Sequence, residues 1–243
     1  GDAVMAIESG GGYAERIAVH ERQLMSVPNS VGVADAAAIP EVFLTAWDAL
    51  VVQGGLTSGR WALVHAGASG VGTAAIQIAK AIGARIAVTC SAGKVEACRT
   101  LGADLVVDYG SDDFVAAVQT ATAGIGADVI LDVIGGEYVD RNLQAVANQG
   151  RIVQVGLMGG GRTSVNVGLL LVKRAQLIGT ALRSRPLEQK VALVQRFTRE
   201  ILPLFETSAL RPIIDSRFPL DRIADAHRYM ASNANTGKIL IDI

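Results

Sequence analysis

The feature that most constrains this sequence is a period. From residue 61 onward, short runs that are apolar throughout alternate with Ala-rich or amphipathic runs. Residues 61–66, 85–90, 104–107, 128–133, 151–155 and 176–182 read as strands; residues 70–82, 93–101, 112–121 and 138–146 read as helices. A strand with one solvated face alternates apolar and polar residues. These do not, so both faces are covered, as in a parallel sheet flanked by helices. Six such strands with helical crossovers predict an α/β chain built on a doubly wound parallel sheet.

Outside the period the pattern changes. Residues 2–19 read as extended chain broken by Gly10-Gly11-Gly12, and Val27-Pro28-Asn29 as a turn. Residues 33–39 and 42–52 read as helices, with Pro40 separating them or opening the second. The tail gives a long amphipathic helix over 187–205, a strand over 213–218, a helix over 223–231 and a last strand over 238–243. That is not another unit of the same period. The tail is therefore expected to join residues 1–35 in a second unit, giving divisions at 1–35, 36–211 and 212–243.

Composition removes several classes of function. Half of the 243 residues are apolar and 19% are charged, a globular composition. The net charge of −1 gives no reason to expect a nucleic acid or an anionic membrane as partner. No apolar run reaches the roughly 18 residues of a membrane helix. Gly1-Asp2-Ala3-Val4 does not begin a signal peptide, so the cytoplasm is the expected compartment. Cys90 and Cys98 are expected to be separate thiols, because this is no small cysteine-dense scaffold.

The strongest chemical signal is His65-Ala66-Gly67-Ala68-Ser69-Gly70-Val71-Gly72, set between a strand and a helix. A dinucleotide pyrophosphate needs a tight turn, close backbone approach and a helix N-terminus aimed at it. Glycine removes the Cβ that blocks approach, and the helix end supplies free N–H groups and a positive dipole. Ser69, Gly70, Val71 and Gly72 are the candidates, with the Ser69 hydroxyl available to a phosphate oxygen. The spacing departs from G-x-G-x-x-G, and a ligand-free glycine turn is the alternative. A P-loop is excluded because Thr73, not Lys, follows the last glycine; a nucleophile elbow is excluded because Val71 stands two residues after Ser69.

The next strand ends Val88-Thr89-Cys90-Ser91-Ala92-Gly93-Lys94. An NAD site places an acid at such a strand end, to hold both ribose hydroxyls. No acid is present, whereas Ser91 and Lys94 suit a ribose 2′-phosphate. NADPH is thus expected over NADH, and Tyr109 could stack near the adenine or touch the same phosphate. The blander alternatives are a solvated Lys94 and a surface-turn Tyr109. Val133 and Ile134, before Gly135-Gly136, and Gly156, Leu157 and Met158, before Gly159-Gly160-Gly161, end the next two strands. Their turns should line the cofactor groove, unless the glycines serve chain reversal alone. Leu182 and Arg183 end the sixth strand. His20, His65 and His227 lack ligand spacing and no cysteine cluster exists, so no metal site is expected. No catalytic acid or base is evident.

The stretch HAGASGVGTAAIQIAK resembles the cofactor loop of quinone oxidoreductases in the medium-chain dehydrogenase/reductase superfamily. GDAVMAIESGGGYAE, AAAIPEVFLTAWDAL, LDVIGG, GLMGGG, LRSR, AHRYM and NTGKIL extend the likeness nearly end to end. Together they are similar in particular to the zinc-free, tumour-suppressor-inducible (pro-apoptotic) subgroup. The resemblance implies a Rossmann cofactor domain plus the remainder of a GroES-like catalytic domain, most of which lies in a further N-terminal stretch of family chains. It implies that Thr45 neighbours the nicotinamide, and that Glu41 stands where zinc-dependent relatives carry a cysteine ligand. It carries Ser69, Gly70, Val71 and Gly72 to the pyrophosphate. Ser91, Lys94 and Tyr109 go to the 2′-phosphate; Gly156, Leu157, Met158, Leu182 and Arg183 to the nicotinamide side; Lys238 to the cofactor's vicinity.

The expected reaction is hydride transfer from NADPH to a quinone, an acceptor that needs no metal and takes its proton from solvent. Two alternatives stand beside it: reduction of an enone, 2-alkenal or enoyl thioester, and NADPH binding without catalysis. The resemblance also implies a homodimer through the edge strand near 176–182, and an apolar edge needs covering in any case.

Overall fold

The computed structural model describes residues 1–243. In chain order, strands β1 (Val4–Met5) and β2 (Met25–Ser26) precede helices α1 (Val33–Ala36) and α2 (Pro40–Trp47). The alternating stretch begins with β3 (Trp61–Val64), α3 (Gly70–Ala81), β4 (Arg85–Cys90), α4 (Val95–Thr100) and β5 (Leu105–Asp108). It continues through α5 (Phe114–Ala121), β6 (Ala127–Asp132), α6 (Tyr138–Ala145), β7 (Val146–Gln154), α7 (Val167–Lys173) and β8 (Gln176–Gly179). The tail holds α8 (Leu187–Glu200), α9 (Pro203–Glu206), β9 (Ile214–Pro219), α10 (Ile223–Ala231) and β10 (Lys238–Asp242). No helix is long and apolar enough to cross a membrane.

The residues form two units. One, the sheet unit, comprises Thr45–Ala68 and Ala75–Thr180; the other, the terminal unit, comprises Gly1–Leu44, Ser69–Ala74 and Ala181–Ile243.

In the sheet unit six strands run in the order β5-β4-β3-β6-β7-β8, every pair parallel. This is the doubly wound α/β sheet expected from the period. Its order reverses between β3 and β6, the place where such sheets open a crevice at the carboxyl ends of their strands. Burial explains the missing alternation: in β4 only Arg85 is exposed, and in β6 only Asp128 is even partly accessible. Leu63, Ile130, Phe114, Leu143 and Ile152 pack in one core, each contributing about 1.5–3 kcal/mol by leaving water.

Helix α5 begins at its cap. The Asp113 carboxylate accepts from the N–H of Val115 at 2.7 Å, and that bond holds its pKa below the usual carboxylate value. Elements here differ from expectation, among them β7, which begins at Val146 instead of 151. The strand near 176–182 ends at Gly179, because Thr180 makes the last backbone bond to Gln154 (3.0 Å) while β7 stops there. Helix α7 had no counterpart in the sequence reading; the Asn166 side chain caps it through Leu169 N–H at 3.0 Å, and Arg174 ends it in a left-handed conformation.

In the terminal unit, β1 and β2 pair antiparallel, and β9 and β10 pair parallel. Of the extended segment 2–19, Val4–Met5 is strand. Helix α8 buries Lys190, Val191, Val194 and Phe197 along one stripe. The expected helix over 187–205 is two helices, since Pro203 opens α9 after Ile201 and Leu202. Phe205 stacks edge-on against Phe43 at 4.8 Å between ring centres.

Candidate functional site

In the sheet unit the carboxyl end of β3 carries His65, Ala66 at φ 59°, and Gly67. Gly67 N–H donates to the carbonyl of Thr89 at 2.8 Å. A Cβ on Gly67 would lie 2.5 Å from Cβ of Val88, so glycine lets the turn after β3 lie against β4.

Beyond β4, Ser91 precedes a single 3₁₀ turn, Ala92–Lys94, whose Lys94 N–H bonds back to Ser91 at 2.9 Å. Tyr109 follows β5; its N–H donates to Cys90 at 3.1 Å and its side chain is 48% exposed. Ser91, Lys94 and Tyr109 are thus gathered at the carboxyl ends of two paired strands. The nearest strand-end acid is Asp108 on β5, and its carboxylate turns onto its own loop, accepting from Gly110 N–H at 3.0 Å. Below Ser91 the thiols of Cys90 and Cys98 are free, buried and hydrogen-bonded to one another. Burial pushes Cys98 up to about 12, which keeps it an inert thiol.

The turns after β6 and β7 form a backbone zipper. Met158 N–H donates to Val133 at 3.2 Å, Gly159 N–H to Ile134 at 2.6 Å, and Gly136 N–H to Gly160 at 2.9 Å. A Cβ on Gly136 would meet the Gly159 carbonyl at 2.5 Å, and one on Gly156 the Val133 carbonyl at 2.9 Å. These glycines serve the approach of two protein turns to one another. The zipper leaves Leu157 60% and Met158 76% exposed. A cleft of about 770 Å³ opens here, lined by Gly135, Gln154, Leu157, Gly160 and Leu177. The Gln154 Nε2 donates to the carbonyls of Asp132 (3.1 Å) and Gly156 (2.6 Å), while its buried Oε1 has no partner. Thr45 sits partly buried in the second half of α2.

A chain of buried polar groups crosses this end of the sheet. His65 Nδ1 lies 3.1 Å from Thr89 Oγ1, and His65 Nε2 lies 2.7 Å from Asn142 Oδ1. Asn142 Nδ2 donates to Asp132 Oδ2 at 2.9 Å. Asp132 Oδ1 accepts from the N–H groups of Ile134 (2.6 Å) and Gly135 (3.0 Å). The His65 ring also meets Phe114 and Tyr138 edge-on at 4.8 Å. Burial lowers the His65 pKa, so the ring is neutral at neutral pH. In the sequence, His65 opens the glycine motif and lacks metal-ligand spacing, and Asn142 belongs to no motif. The available signal was a polar ring closing an apolar strand, which needs a buried partner.

In the terminal unit, Ser69–Ala74 hold the N-terminal turn of α3. The Ser69 hydroxyl accepts from Gly72 N–H at 3.0 Å, and its carbonyl from Thr73 N–H at 2.8 Å. Its O–H remains a donor. Lys238 crosses this turn: a Cβ on Gly70 would lie 2.7 Å from Lys238 Cδ and 2.8 Å from Val42 Cγ1. Lys238 Nζ stands 3.7 Å from Glu41. Gly237 pairs with Ser69 in an isolated parallel bridge. Ser69, Gly70, Val71, Gly72 and Lys238 are therefore brought together. In the same unit the Arg183 carbonyl, next to Leu182, accepts from the Ser9 hydroxyl at 2.9 Å, and Lys190 Nζ donates to that hydroxyl at 2.7 Å.

No group of three or more His, Cys, Asp or Glu side chains is placed to hold a metal ion.

A parallel sheet in the order 5-4-3-6-7-8, with a glycine turn leading into a helix after its central strand, defines a Rossmann-type α/β protein. The family model described as "Zinc-binding dehydrogenase" matches residues 70–198. The chain belongs to this family, within the medium-chain dehydrogenase/reductase superfamily. The crystal structure of an alcohol dehydrogenase superfamily protein from Novosphingobium aromaticivorans superposes with a TM-score of 0.88 at 31% identity, over 100% of this chain and 75% of that one. The 2-methylene-furan-3-one reductase of Solanum lycopersicum is 29% identical over 95% of this chain and 52% of its own length. The chloroplast envelope quinone oxidoreductase homolog of Arabidopsis thaliana is 41% identical over 48% of this chain and 38% of its own. The chain thus spans about half the length of the tomato relative. The donor set within these residues does not form the metal site that the family's description names.

Proposed function

We propose that the chain is the NADPH-binding part of an oxidoreductase that reduces quinones without zinc, of the kind found in the tumour-suppressor-inducible quinone oxidoreductase subgroup. The observation that carries the cofactor choice is the end of β4. Ser91 and Lys94 stand there with no strand-end carboxylate, and Asp108 on the next strand is engaged by its own turn. A ribose 2′-phosphate suits a hydroxyl and a cation, and a 2′-hydroxyl suits an acid. The N-terminus of α3, with Ser69, Gly70, Val71 and Gly72, suits the pyrophosphate. Thr45, Gly156, Leu157, Met158, Leu182 and Arg183 are assigned to the nicotinamide side, Val133 and Ile134 to the wall of the cofactor groove, and Lys238 to the cofactor's vicinity.

Reduction of a quinone to a hydroquinone takes one hydride, which bound NADPH supplies, and one proton, which solvent supplies. The residues of the chain orient the cofactor and exclude water. Exposed Leu157 and Met158 offer an apolar surface to a flat acceptor. The name of the Arabidopsis relative supports a quinone; that of the tomato relative supports an enone as the second reading. We further propose a homodimer through β8, whose Leu177 is 46% exposed at the sheet edge.

The test is NADPH oxidation with ortho- and para-quinones and, in parallel, 2-alkenals. Turnover of quinones supports the proposal. Turnover of alkenals alone moves the assignment to enone reduction, and NADPH binding with no turnover of either moves it to a non-catalytic role.

A further inference from the structure

Four side chains between the sheet and α6 are almost completely buried: Thr89, His65, Asn142 and Asp132. Their contacts fix the direction of every hydrogen bond in the chain they form. The Asp132 carboxylate can only accept, so the Asn142 group facing Oδ2 is its Nδ2–H, at 2.9 Å. The Asn142 oxygen is then left for His65, and an amide oxygen accepts, so His65 Nε2 carries the ring proton across 2.7 Å. A neutral ring with its proton on Nε2 has a lone pair on Nδ1, so the Thr89 hydroxyl donates across 3.1 Å. The far end of the relay is Asp132 Oδ1, which binds the N–H groups of Ile134 and Gly135. The near end reaches the turn after β3, because the Thr89 carbonyl accepts from Gly67.

We infer that His65 and Asn142 are positioning residues: they form a one-directional relay, Thr89 to His65 to Asn142 to Asp132, that holds the turn carrying Val133 and Ile134 in its cofactor-binding shape. The inference rests on the proposed cofactor site. Its physical basis is that a buried carboxylate with one oxygen unpartnered recovers a partner by turning, and here turning would release the two N–H groups that define the turn. A hydrophobic ring at residue 65 would fill the same space and leave the Asn142 oxygen without its donor. Nothing in the relay touches a reacting atom, so its effect falls on cofactor affinity and on the order of the turn.

The experiment combines one spectrum and three variants of the full chain. In ¹⁵N-histidine-labelled wild-type protein at neutral pH, the His65 ring is expected to carry its proton on Nε2; an Nδ1–H ring overturns the relay. Asn142→Leu is expected to speed amide exchange of Ile134 and Gly135 and to raise the NADPH Kd, each about tenfold, the size of one lost charge-assisted hydrogen bond. His65→Gln, which still presents an N–H toward Asn142, is expected to stay near wild type in both, while His65→Leu follows Asn142→Leu. Exchange and Kd unchanged in folded Asn142→Leu, or an equal loss in both His65 variants, overturns the inference. If wild type binds no NADPH, the cofactor reading fails by itself, while the tautomer and exchange results still decide the relay.

Discussion

Gly67 lies so close to Val88 that a Cβ built on it would stand 2.5 Å from the valine's own Cβ. The obstacle is the root of a β-branched side chain on a buried strand, which cannot swing away. Gly67→Ala is therefore expected to cost about 1–3 kcal/mol, the usual cost of overpacking a core. Denaturant unfolding measures it as a lower midpoint at unchanged slope. A wild-type midpoint would contradict the close packing of the β3 turn on β4.

Gly136 tests the zipper between the turns after β6 and β7. Its φ of +55° and the 2.5 Å approach of a Cβ to the Gly159 carbonyl make Gly136→Ala doubly unfavourable. Amide exchange at Gly136 and Gly159 is expected to rise sharply, with stability falling by about 1–3 kcal/mol. Protection equal to wild type would mean that the two turns are held by something other than their mutual hydrogen bonds.

Stability should fall as pH drops below the ordinary histidine range, through His65. Burial lowers its folded pKa, with Asn142 and the charge of Asp132 opposing and Arg141 assisting. The unfolded ring, titrating near 6.5, then binds a proton that the folded ring refuses. The His65 contribution is fully present above about pH 6.5 and is lost with decreasing pH below it, at up to about 1.4 kcal/mol per pH unit. Urea midpoints from pH 8 to pH 5 measure this, and His65→Gln should flatten the decline.

The edge of the sheet gives an association prediction. Leu177 on β8 is 46% exposed, and Val167, Leu171 and Val172 of α7 are each at least two-thirds exposed. Sedimentation velocity is expected to show a dimer, and Leu177→Lys to shift it toward monomer. A wild-type monomer at micromolar concentration removes the dimer proposal.

Much of the sheet was legible because buried parallel strands are written without alternation, whereas the strand order comes from the structure alone. Helix α7 is not legible because Val167-Gly168-Leu169-Leu170-Leu171-Val172 is a short apolar run that periodicity cannot assign, with a glycine at its second position arguing against helix. The double helix at 187–205 was missed because its amphipathic stripe runs up to Pro203 and the stripe outweighed the break. At the site, strand ends and their Ser, Lys and Gly residues could be read locally. Asn142 could not, since it meets His65 across 77 positions of chain. The same holds for the glycines of the zipper: a glycine needed by another loop looks like any other in sequence, and only the structure shows that a Cβ on Gly136 or Gly156 would lie 2.5 or 2.9 Å from a neighbouring carbonyl.

The end of β4, with Ser91 and Lys94, is proposed to select NADPH. Its most direct test is titration of the chain with NADPH and NADH side by side, followed by cofactor fluorescence, in wild type and Lys94→Ala. Tighter binding of NADPH is expected in wild type, with a Kd for NADPH about tenfold weaker in the variant (roughly 1.4 kcal/mol) and an unchanged Kd for NADH. Equal binding of the two cofactors by wild type, or an equal loss of both on Lys94→Ala, would contradict it.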